Sequence, residues 1–215
     1  YGLVGSEMCI RDRIDPHIDL PKKDLLMSCG EIISCALLSH FLEIHGIPSE
    51  PLTGYQARIL TTDAFSQSDI LNIDPTVIKK YLSQGKVVIV AGFQGITWDG
   101  KITTLGRGGS DTTAVELGGY LQAECVDIFT DVPGVAIVDP RLVPDAAYIE
   151  NISYTEMYQL ASHGAKVIHP RAVKAAEKFH IPVRVRSTFS DTSGTLISST
   201  SCLQHKKIFG LPLDK

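Results

Sequence analysis

Apolar residues recur at three- and four-residue spacing between Lys22 and Gly46, which is the period of a helix with one apolar face. The recurring positions are Leu25, Leu26, Ile32, Ile33, Ala36, Leu37, Phe41 and Ile44. Gly46 follows them, and glycine is the residue that most often ends a helix. The pattern therefore predicts one long helix, and the apolar residues that follow it predict a short strand over 47–53.

Further along the chain, short apolar runs alternate with segments of helical period. We predict strands over 87–93, 125–131 and 183–187, a loop with short strands over 61–74, and a hairpin over 96–105 because Asp99-Gly100 is a strong turn signal. We predict helices from Asp74-Pro75 to Gly85, over 114–124, from the capping box of Ser153 and Glu156 to His163, and from Pro170 to the residue before Ile181. The run 87–93 is continuous and rich in β-branched residues, which is typical of a parallel strand buried on both faces. This alternation predicts an α/β layered fold with a largely parallel sheet.

Composition narrows the function classes. The chain has 215 residues, 44% of them apolar, and its formal charge of −4 argues against a nucleic-acid-binding protein, which usually carries a basic excess. No uninterrupted apolar run approaches the ~18 residues that span a bilayer, so we expect no membrane partner.

The cysteine and histidine residues give no sign of a disulfide framework or a metal site. The five Cys are Cys9, Cys29, Cys35, Cys125 and Cys202, an odd number without C-x-x-C spacing. We interpret them as reduced thiols in the cytoplasm, buried as small apolar side chains. The seven His show no H-E-x-x-H or related spacing, so we predict no metal held by protein ligands.

The strongest chemical signal is Gly106-Arg107-Gly108-Gly109-Ser110-Asp111. Three glycines allow a sharp turn whose N–H groups approach a ligand, and a helix capped by Ser110 or Asp111 would add its N-terminus to an anion site. Arg107 supplies a fork that suits a carboxylate or phosphate. The alternative is a glycine-rich turn in which Ser110 only caps a helix. The segment fits neither the P-loop pattern nor the dinucleotide-binding pattern.

Three other segments carry weaker signals. Thr130-Asp131-Val132-Pro133-Gly134 follows a predicted strand, where ligands of open α/β sheets gather, although Asp131 could simply begin a turn. Asp139-Pro140-Arg141 holds an Arg after a rigid Pro, or is a surface turn. Gly164–Pro170 holds Lys166 between two predicted helices, or leaves it as a solvated side chain.

Taken together and in this order, these segments resemble the aspartate kinase branch of the amino acid kinase family. The matching stretches are 88–95, 103–114, 130–134, 139–141 and 164–171, within a resemblance that runs from about Pro21 to Ile197. The run Thr-Thr-Leu-Gly-Arg-Gly-Gly-Ser-Asp-Thr-Thr distinguishes this branch from the carbamate, glutamate and uridylate kinases. The resemblance implies a carbamate-kinase-like fold, in which helices sandwich a mostly parallel central sheet.

The activity that the resemblance implies is transfer of the γ-phosphoryl group of ATP, bound with Mg²⁺, to the side-chain carboxylate of L-aspartate. The product would be 4-phospho-L-aspartate, at the first step of lysine, threonine and methionine synthesis. It also implies a cytoplasmic enzyme that forms a homo-oligomer when complete. Another member of the amino acid kinase family is the alternative.

The resemblance also implies roles for individual residues. Arg107, with Ser110 and the backbone of Gly108 and Gly109, would hold the α-carboxylate of aspartate, and Glu31 would meet its ammonium group. Read without the family, Glu31 is a solvated helix residue. Asp111 and Lys166 would be the catalytic residues, with Asp111 organising the cations around the transferring phosphate. The implied ATP-binding residues are Thr130, Asp131, Ala136, Arg141 and Lys166.

The sequence departs from the family pattern in three respects. We expect the fold to lack the N-terminal strand and the Lys-Phe-Gly-Gly-Thr loop with which the family opens, whose Lys neutralises the transferring phosphate. The early Ser/Thr segments that bind substrate in the family are also missing, and Ala136 stands where many members place a Tyr against adenine. Residues 1–13 resemble translated sequencing-adapter sequence, and we expect them to be non-native; a frayed N-terminus is the alternative. We expect 14–197 to be a partial catalytic domain and 198–215 a linker with the start of a regulatory ACT region. The chain alone would then bind substrate or nucleotide without turnover.

Overall fold

The computed structural model describes residues 17–137, 146–165 and 167–199. They divide into two compact units, with the boundary between Leu121 and Gln122. The helices of the first unit are α1 (Leu20–Ile44), α2 (Thr76–Ser83) and α3 (Gly109–Leu121), and those of the second are α4 (Tyr154–Ser162) and α5 (Pro170–Phe179). The strands of the first unit are β1 (Ser49–Leu52), β2 (Ile59–Thr61), β3 (Ile70–Ile73), β4 (Val87–Val90), β5 (Gln94–Ile96) and β6 (Ile102–Thr104). The second unit contains β7 (Val126–Thr130), β8 (Asn151–Ser153), β9 (Val183–Ser187) and β10 (Thr195–Ser198).

The first unit contains two sheets. β1 and β4 pair in parallel, and a four-stranded sheet has the order β3-β2-β5-β6. Within that sheet β2 is parallel to β5, while β3 and β6 are antiparallel to their neighbours. The β5–β6 pair is the hairpin that Asp99-Gly100 predicted, and Gly100 has the positive φ of 82° that such a turn needs. A core cluster consists of Leu52, Ala57, Ile59, Ile73 and Ile78.

The prediction that 87–93 forms a strand buried on both faces is wrong in one respect. β4 is parallel, as predicted, but Val87 is 43% exposed and the other three residues of the strand are half-buried. Among the described residues β4 pairs only with β1. A continuous apolar run identifies a strand suited to burial, but it does not identify the elements that cover it.

The long helix α1 forms as predicted but buries a different face. Its buried residues are Asp24, Met27, Ser28, Gly30, Cys35 and Ser39. Leu37, Phe41 and Ile44, from the apolar stripe, are each more than half exposed. The small side chains among them let α1 lie close to the strands, where Ser39 Oγ lies 2.7 Å from Ser49 Oγ on β1. The apolar period predicts the helix correctly but not the face that packs.

α1 is also the one helix in the described part of the chain that is long and apolar enough to cross a membrane. The helix meets this criterion although it contains charged residues, and these interrupt the apolar run that the sequence alone would show. A core helix of a soluble protein passes the same test, and the buried Asp24 of α1 is hydrogen-bonded to Ser66 and Thr104 within the first unit.

The second unit has a sheet of order β7-β9-β10-β8. β7 runs parallel to β9, and β10 runs antiparallel to β9 and parallel to β8. Ser153 and Glu156 form the predicted capping box at the start of α4, and α5 begins at Pro170 as predicted. The short strands β8 and β10 were not predicted, because three or four residues are too few to show an alternating pattern. With parallel pairs in both units, the described chain is α/β.

Candidate functional site

The predicted anion-binding segment is a tight turn that leads directly into α3. β6 ends at Thr104, Leu105 is fully buried, and α3 begins at Gly109. The predicted start at residue 114 is therefore wrong, as is the prediction that Ser110 or Asp111 caps the helix, because both lie in its first turn. Glycines have low helix propensity, so the sequence pattern placed the start too late.

Two glycines of this turn have no room for a side chain. Gly106 has a φ of 74°, and a Cβ there would lie 2.7 Å from the carbonyl oxygen of Ser66. A Cβ on Gly109 would lie 2.8 Å from the Phe93 ring. The close approach of Phe93 explains why the helix begins with a glycine.

One residue predicted for each end of a substrate lines the same cavity, and the rest of its lining is mostly apolar. A cavity of about 390 Å³ in the first unit is lined by Glu31 of α1, by Gly92 after β4 and by Ser110 of α3. Arg107 is exposed in the turn before α3, and Asp111 is half-buried in the first turn of that helix. The structure thus brings Glu31 and Ser110 together, although they are 79 residues apart in the sequence.

The cavity offers a carboxyl group at one wall and the start of a helix at the other. Burial raises the pKa of the Glu31 carboxyl above its usual value, because removal of water disfavours the carboxylate. A ligand ammonium group would offset that cost. At the other wall, Ser110 brings a hydroxyl on the first turn of α3, and the exposed Arg107 lies in the turn just before that helix; a hydroxyl, a helix start and a guanidinium are groups that bind carboxylates.

A larger cleft in the first unit does not contain any predicted site residue. It has a volume of about 550 Å³ and is lined in part by Tyr55, Arg58 and Trp98. Its charged groups are already paired: Arg58 with Asp74, and Glu50 with Lys86 at 2.6 Å. Size alone therefore does not identify the site, and we base the assignment on the chemistry of the Glu31 cavity.

In the second unit, the predicted nucleotide-binding residues lie at the carboxyl end of β7. Thr130 is the last residue of β7 and pairs with Ser187, the last residue of the parallel strand β9. Thr130 Oγ1 donates a hydrogen bond to Asp131 Oδ1 at 3.1 Å, and the Asp131 side chain is exposed. Carboxyl ends of adjacent parallel strands are where open α/β sheets bind ligands.

Ala136 is half-buried in a short bridge after this turn. It pairs antiparallel with Tyr148, and hydrogen bonds on either side of the bridge join Ile137 N to Ala147 O at 2.9 Å and Ile149 N to Val135 O at 2.8 Å. Residues directly opposite in an antiparallel pair present their side chains on the same face. Tyr148, which sequence reasoning missed, is 41% exposed and offers an aromatic ring next to Ala136.

Two predicted residues, Arg141 and Lys166, lie outside the described residues, so their roles stay predictions. Within the described ranges, no group of three His, Cys, Asp or Glu side chains is arranged to hold a metal ion. Of the described cysteines, Cys35 is buried as predicted, whereas Cys29 and Cys125 are only half-buried.

The sheet topology and the glycine turn before α3 define the class of protein. A family model described as the Amino acid kinase family matches residues 6–187, and the chain belongs to that family. Among characterised relatives, the chain is 47% identical over 203 residues to an aspartokinase of Geobacillus stearothermophilus, covering 94% of this chain and 50% of that protein. It is 48% identical over 193 residues to aspartokinase 2 of Bacillus subtilis, covering 88% of this chain and 47% of that protein.

Solved structures agree with this assignment. The crystal structure of E. coli aspartokinase III in complex with aspartate and ADP aligns with a TM-score of 0.79 at 31% identity, covering 92% of this chain and 45% of that one. An aspartate kinase from Synechocystis also aligns with a TM-score of 0.79, at 42% identity over 97% of this chain and 34% of that one. A UMP kinase from Bacillus anthracis, at 16% identity and a TM-score of 0.64, shares the fold. The predicted amino acid kinase fold is confirmed. The chain spans about half the length of the aspartokinases it matches.

Proposed function

We propose that this chain is the catalytic part of an aspartate kinase. In this proposal it transfers the γ-phosphoryl group of ATP to the side-chain carboxylate of L-aspartate and forms 4-phospho-L-aspartate. The cavity that Glu31 and Ser110 share carries the proposal, because it offers a carboxylate and an anion-binding helix start to a ligand with an ammonium group and carboxylates. The aspartokinase relatives support the same substrate.

The first unit would bind the amino acid. Glu31 would accept hydrogen bonds from the ammonium group, and Arg107 would hold the α-carboxylate together with Ser110 and the backbone of the Gly108–Gly109 turn. Asp111, in the first turn of α3, would organise the cations around the transferring phosphate. Phosphoryl transfer asks mainly for such positioning and charge neutralisation.

The second unit would bind the nucleotide. The Thr130–Asp131 pair fits a nucleotide carried with Mg²⁺, because Mg²⁺ needs only one or two carboxylates when phosphate oxygens supply its other ligands. Mg²⁺ would neutralise phosphate charge there. Arg141 and Lys166 are proposed to contact the phosphates, as the family resemblance implies. We also propose that the complete protein acts in the cytoplasm as a homo-oligomer.

An ADP-release assay on the full-length protein tests the proposal. L-aspartate, L-glutamate and UMP are offered in parallel with ATP and Mg²⁺. We expect turnover with L-aspartate alone, and activity confined to another acceptor would refute the proposal.

Matched cation variants refine the test. Arg107→Lys keeps the charge but removes the bidentate fork, and we expect it to raise the KM for aspartate about tenfold. Lys101→Ala removes an exposed cation of the preceding hairpin, which pairs with Asp99 at 2.9 Å, and should leave that KM unchanged. Equal effects of the two variants would exclude a specific role for Arg107.

For the 215-residue chain by itself, binding without turnover is a second candidate. The sequence lacks a Lys-Phe-Gly-Gly-Thr segment and therefore that segment's phosphate-neutralising Lys. Loss of one such donor commonly costs about 3–4 kcal/mol of transition-state stabilisation. Calorimetry with L-aspartate and ADP, alongside the turnover assay on the same chain, separates the candidates. Robust turnover by this chain would eliminate the second.

A further inference from the structure

A buried carboxylate on α1 is not accounted for by any of the roles above. Asp24 has no exposed surface, and four hydrogen-bond donors converge on it. Its Oδ2 accepts from Ser66 N at 2.7 Å and from Thr104 N at 2.8 Å, and its Oδ1 accepts from Ser66 Oγ at 2.8 Å and from Thr104 Oγ1 at 3.0 Å. A buried carboxylate is tolerated only when such bonds replace its lost water.

Ser66 and Thr104, the two partners of Asp24, lie next to Gly106, where the glycine-rich turn before α3 begins. Thr104 is the last residue of β6, two positions before Gly106. Ser66 also lies close to Gly106, since its carbonyl oxygen would lie 2.7 Å from a Cβ on that glycine. The Asp24 carboxylate therefore holds Ser66 and Thr104, the two residues that lie next to Gly106 where the turn begins.

Asp24 is also tied to the opposite wall of the cavity. Glu31 is seven residues further along α1, which is two helical turns and about 10.5 Å on the same face. A second contact holds the helix between them: the Gln94 side chain of β5, only 2% exposed, donates from Nε2 to the carbonyl of Ser28 at 3.0 Å. Movement of α1 relative to the β5–β6 hairpin would therefore move Glu31 relative to Arg107 and Ser110.

We propose that Asp24 is a positioning residue of the substrate site. Its four hydrogen bonds fix the spacing between Glu31 and the Gly106–Ser110 turn, and so the register in which the two ends of an amino-acid substrate are held. The inference rests on the proposed function of this cavity. Asp24 itself does not touch the ligand.

Three variants of the full-length protein separate positioning from simple stabilisation. Asp24→Leu leaves two backbone N–H groups without an acceptor. Asp24→Asn can satisfy all four partners, because its carbonyl accepts from the two N–H groups while its NH₂ donates to the two hydroxyl oxygens. Asp63→Asn, an exposed acid in the same loop as Ser66, is the control.

The kinetic measurement compares a ligand that spans the cavity with one that does not. L-aspartate engages both Glu31 and the turn, whereas succinate, used as a competitive inhibitor, lacks the ammonium group. We expect Asp24→Leu to raise the KM for L-aspartate about tenfold, with much smaller changes in the Ki of succinate and the KM of MgATP. Asp24→Asn should restore most of the affinity, and Asp63→Asn should match the wild type. A parallel loss for aspartate and succinate would overturn the proposal.

An activity-independent measurement keeps the inference separable from the proposed function. The amide of Gly109 donates to the carbonyl of Gly106 at 3.0 Å, so its hydrogen exchange reports on the turn. Exchange should accelerate in Asp24→Leu and stay slow in Asp24→Asn. If Asp24→Leu does not fold, Ser66→Ala combined with Thr104→Val removes only the hydroxyl donors and should shift exchange in the same direction. Unchanged exchange would refute the role of Asp24 even if the wild type phosphorylates aspartate. Accelerated exchange in an enzyme that ignores aspartate would refute only the function.

Discussion

The ligand-binding role proposed for Glu31 should come at a cost to the stability of the free protein. Burial raises its pKa above the ordinary value of 4.5, so the folded state holds the proton to a higher pH than the unfolded state does. Stability is therefore lost as the pH rises from the unfolded pKa through the raised folded pKa. We expect Glu31→Gln to raise the Tm at pH 7 but not at pH 4, while it weakens aspartate binding.

Thermal unfolding at the two pH values checks this prediction. Glu43→Gln, an exposed acid on the same helix, serves as the control and should change the Tm at neither pH. Equal Tm values for the wild type and Glu31→Gln at pH 7 would contradict the prediction.

Tyr148 allows a second prediction at this scale. Its ring lies on the same face as Ala136, where the family resemblance places adenine. Tyr148→Ala should raise the KM for ATP about threefold to tenfold, because an aromatic contact is worth about 0.5–1.5 kcal/mol, and should leave the KM for aspartate unchanged. Tyr148→Phe, which keeps the ring, is the matched control. An unaffected KM for ATP in the alanine variant would exclude the contact.

Single residues show what the sequence could and could not reveal about the site. Glu31, from the family resemblance, and Ser110, from the glycine-rich segment, were assigned to one substrate, and the structure places both at one cavity. Asp24 and Tyr148 were not singled out, since the roles proposed for them come from contacts across 80 and 12 residues of sequence, with Thr104 and Ala136. No local pattern encodes such contacts.

At the scale of elements, β4 should be less protected than its composition suggests. β4 pairs with β1 alone among the described strands, whereas β9 lies between β7 and β10. The Val87 amide donates to Pro48 and that of Ala91 to Leu52, so by alternation the amides of Val88 and Val90 point to the other edge. We expect Val88 and Val90 to exchange faster than Val183 and Val185 of β9, by hydrogen exchange on the 215-residue chain. Equal protection would show that another segment covers that edge.

Helices and strands were predictable from the sequence where the apolar period was clear or where a capping or turn motif was present. The capping box of α4, the Pro at the start of α5 and the Asp99-Gly100 hairpin are local signals, and the structure contains all three elements. The start of α3 was misplaced because its first residue is a glycine, selected by the nearby Phe93 ring. Tertiary packing overrode helix propensity at that point.

At the scale of the molecule, the exposed apolar face of α1 should cause self-association. Contiguous apolar surface on a soluble protein commonly marks contact with other proteins or a tendency to aggregate. Leu37 is 63% exposed and Phe41 is 55% exposed on this face. We expect Leu37→Glu to lower the apparent mass of the 215-residue chain at high concentration, measured by light scattering during gel filtration. Gln84→Glu, at an exposed polar position just after α2 and away from this face, is the charge-matched control. A wild-type chain that stays monomeric would disprove the expectation.

The overall architecture followed from the alternation of strands and helices, which predicted the α/β class. The division between Leu121 and Gln122 was not predicted, because no proline- or glycine-rich linker marks it. That residues 14–197 form one partial catalytic domain stays a prediction. The long-range pairings that hold each unit together, such as β2 with β5, leave no trace in a local pattern.

The buried Cys35 thiol makes the separation of α1 from β4 measurable. The Cys35 thiol is buried and donates a hydrogen bond to the carbonyl of Ile89 on β4 at 2.9 Å, and burial raises its pKa, so little reactive thiolate is present. Because Cys35 is only 6% exposed, we expect an alkylating reagent to reach it when α1 separates from β4. The rate at which Cys35 is alkylated, followed by mass spectrometry, therefore measures how often α1 separates from β4. Because Glu31 lies one turn earlier on the same helix, a ligand that binds at Glu31 should slow the labelling of Cys35.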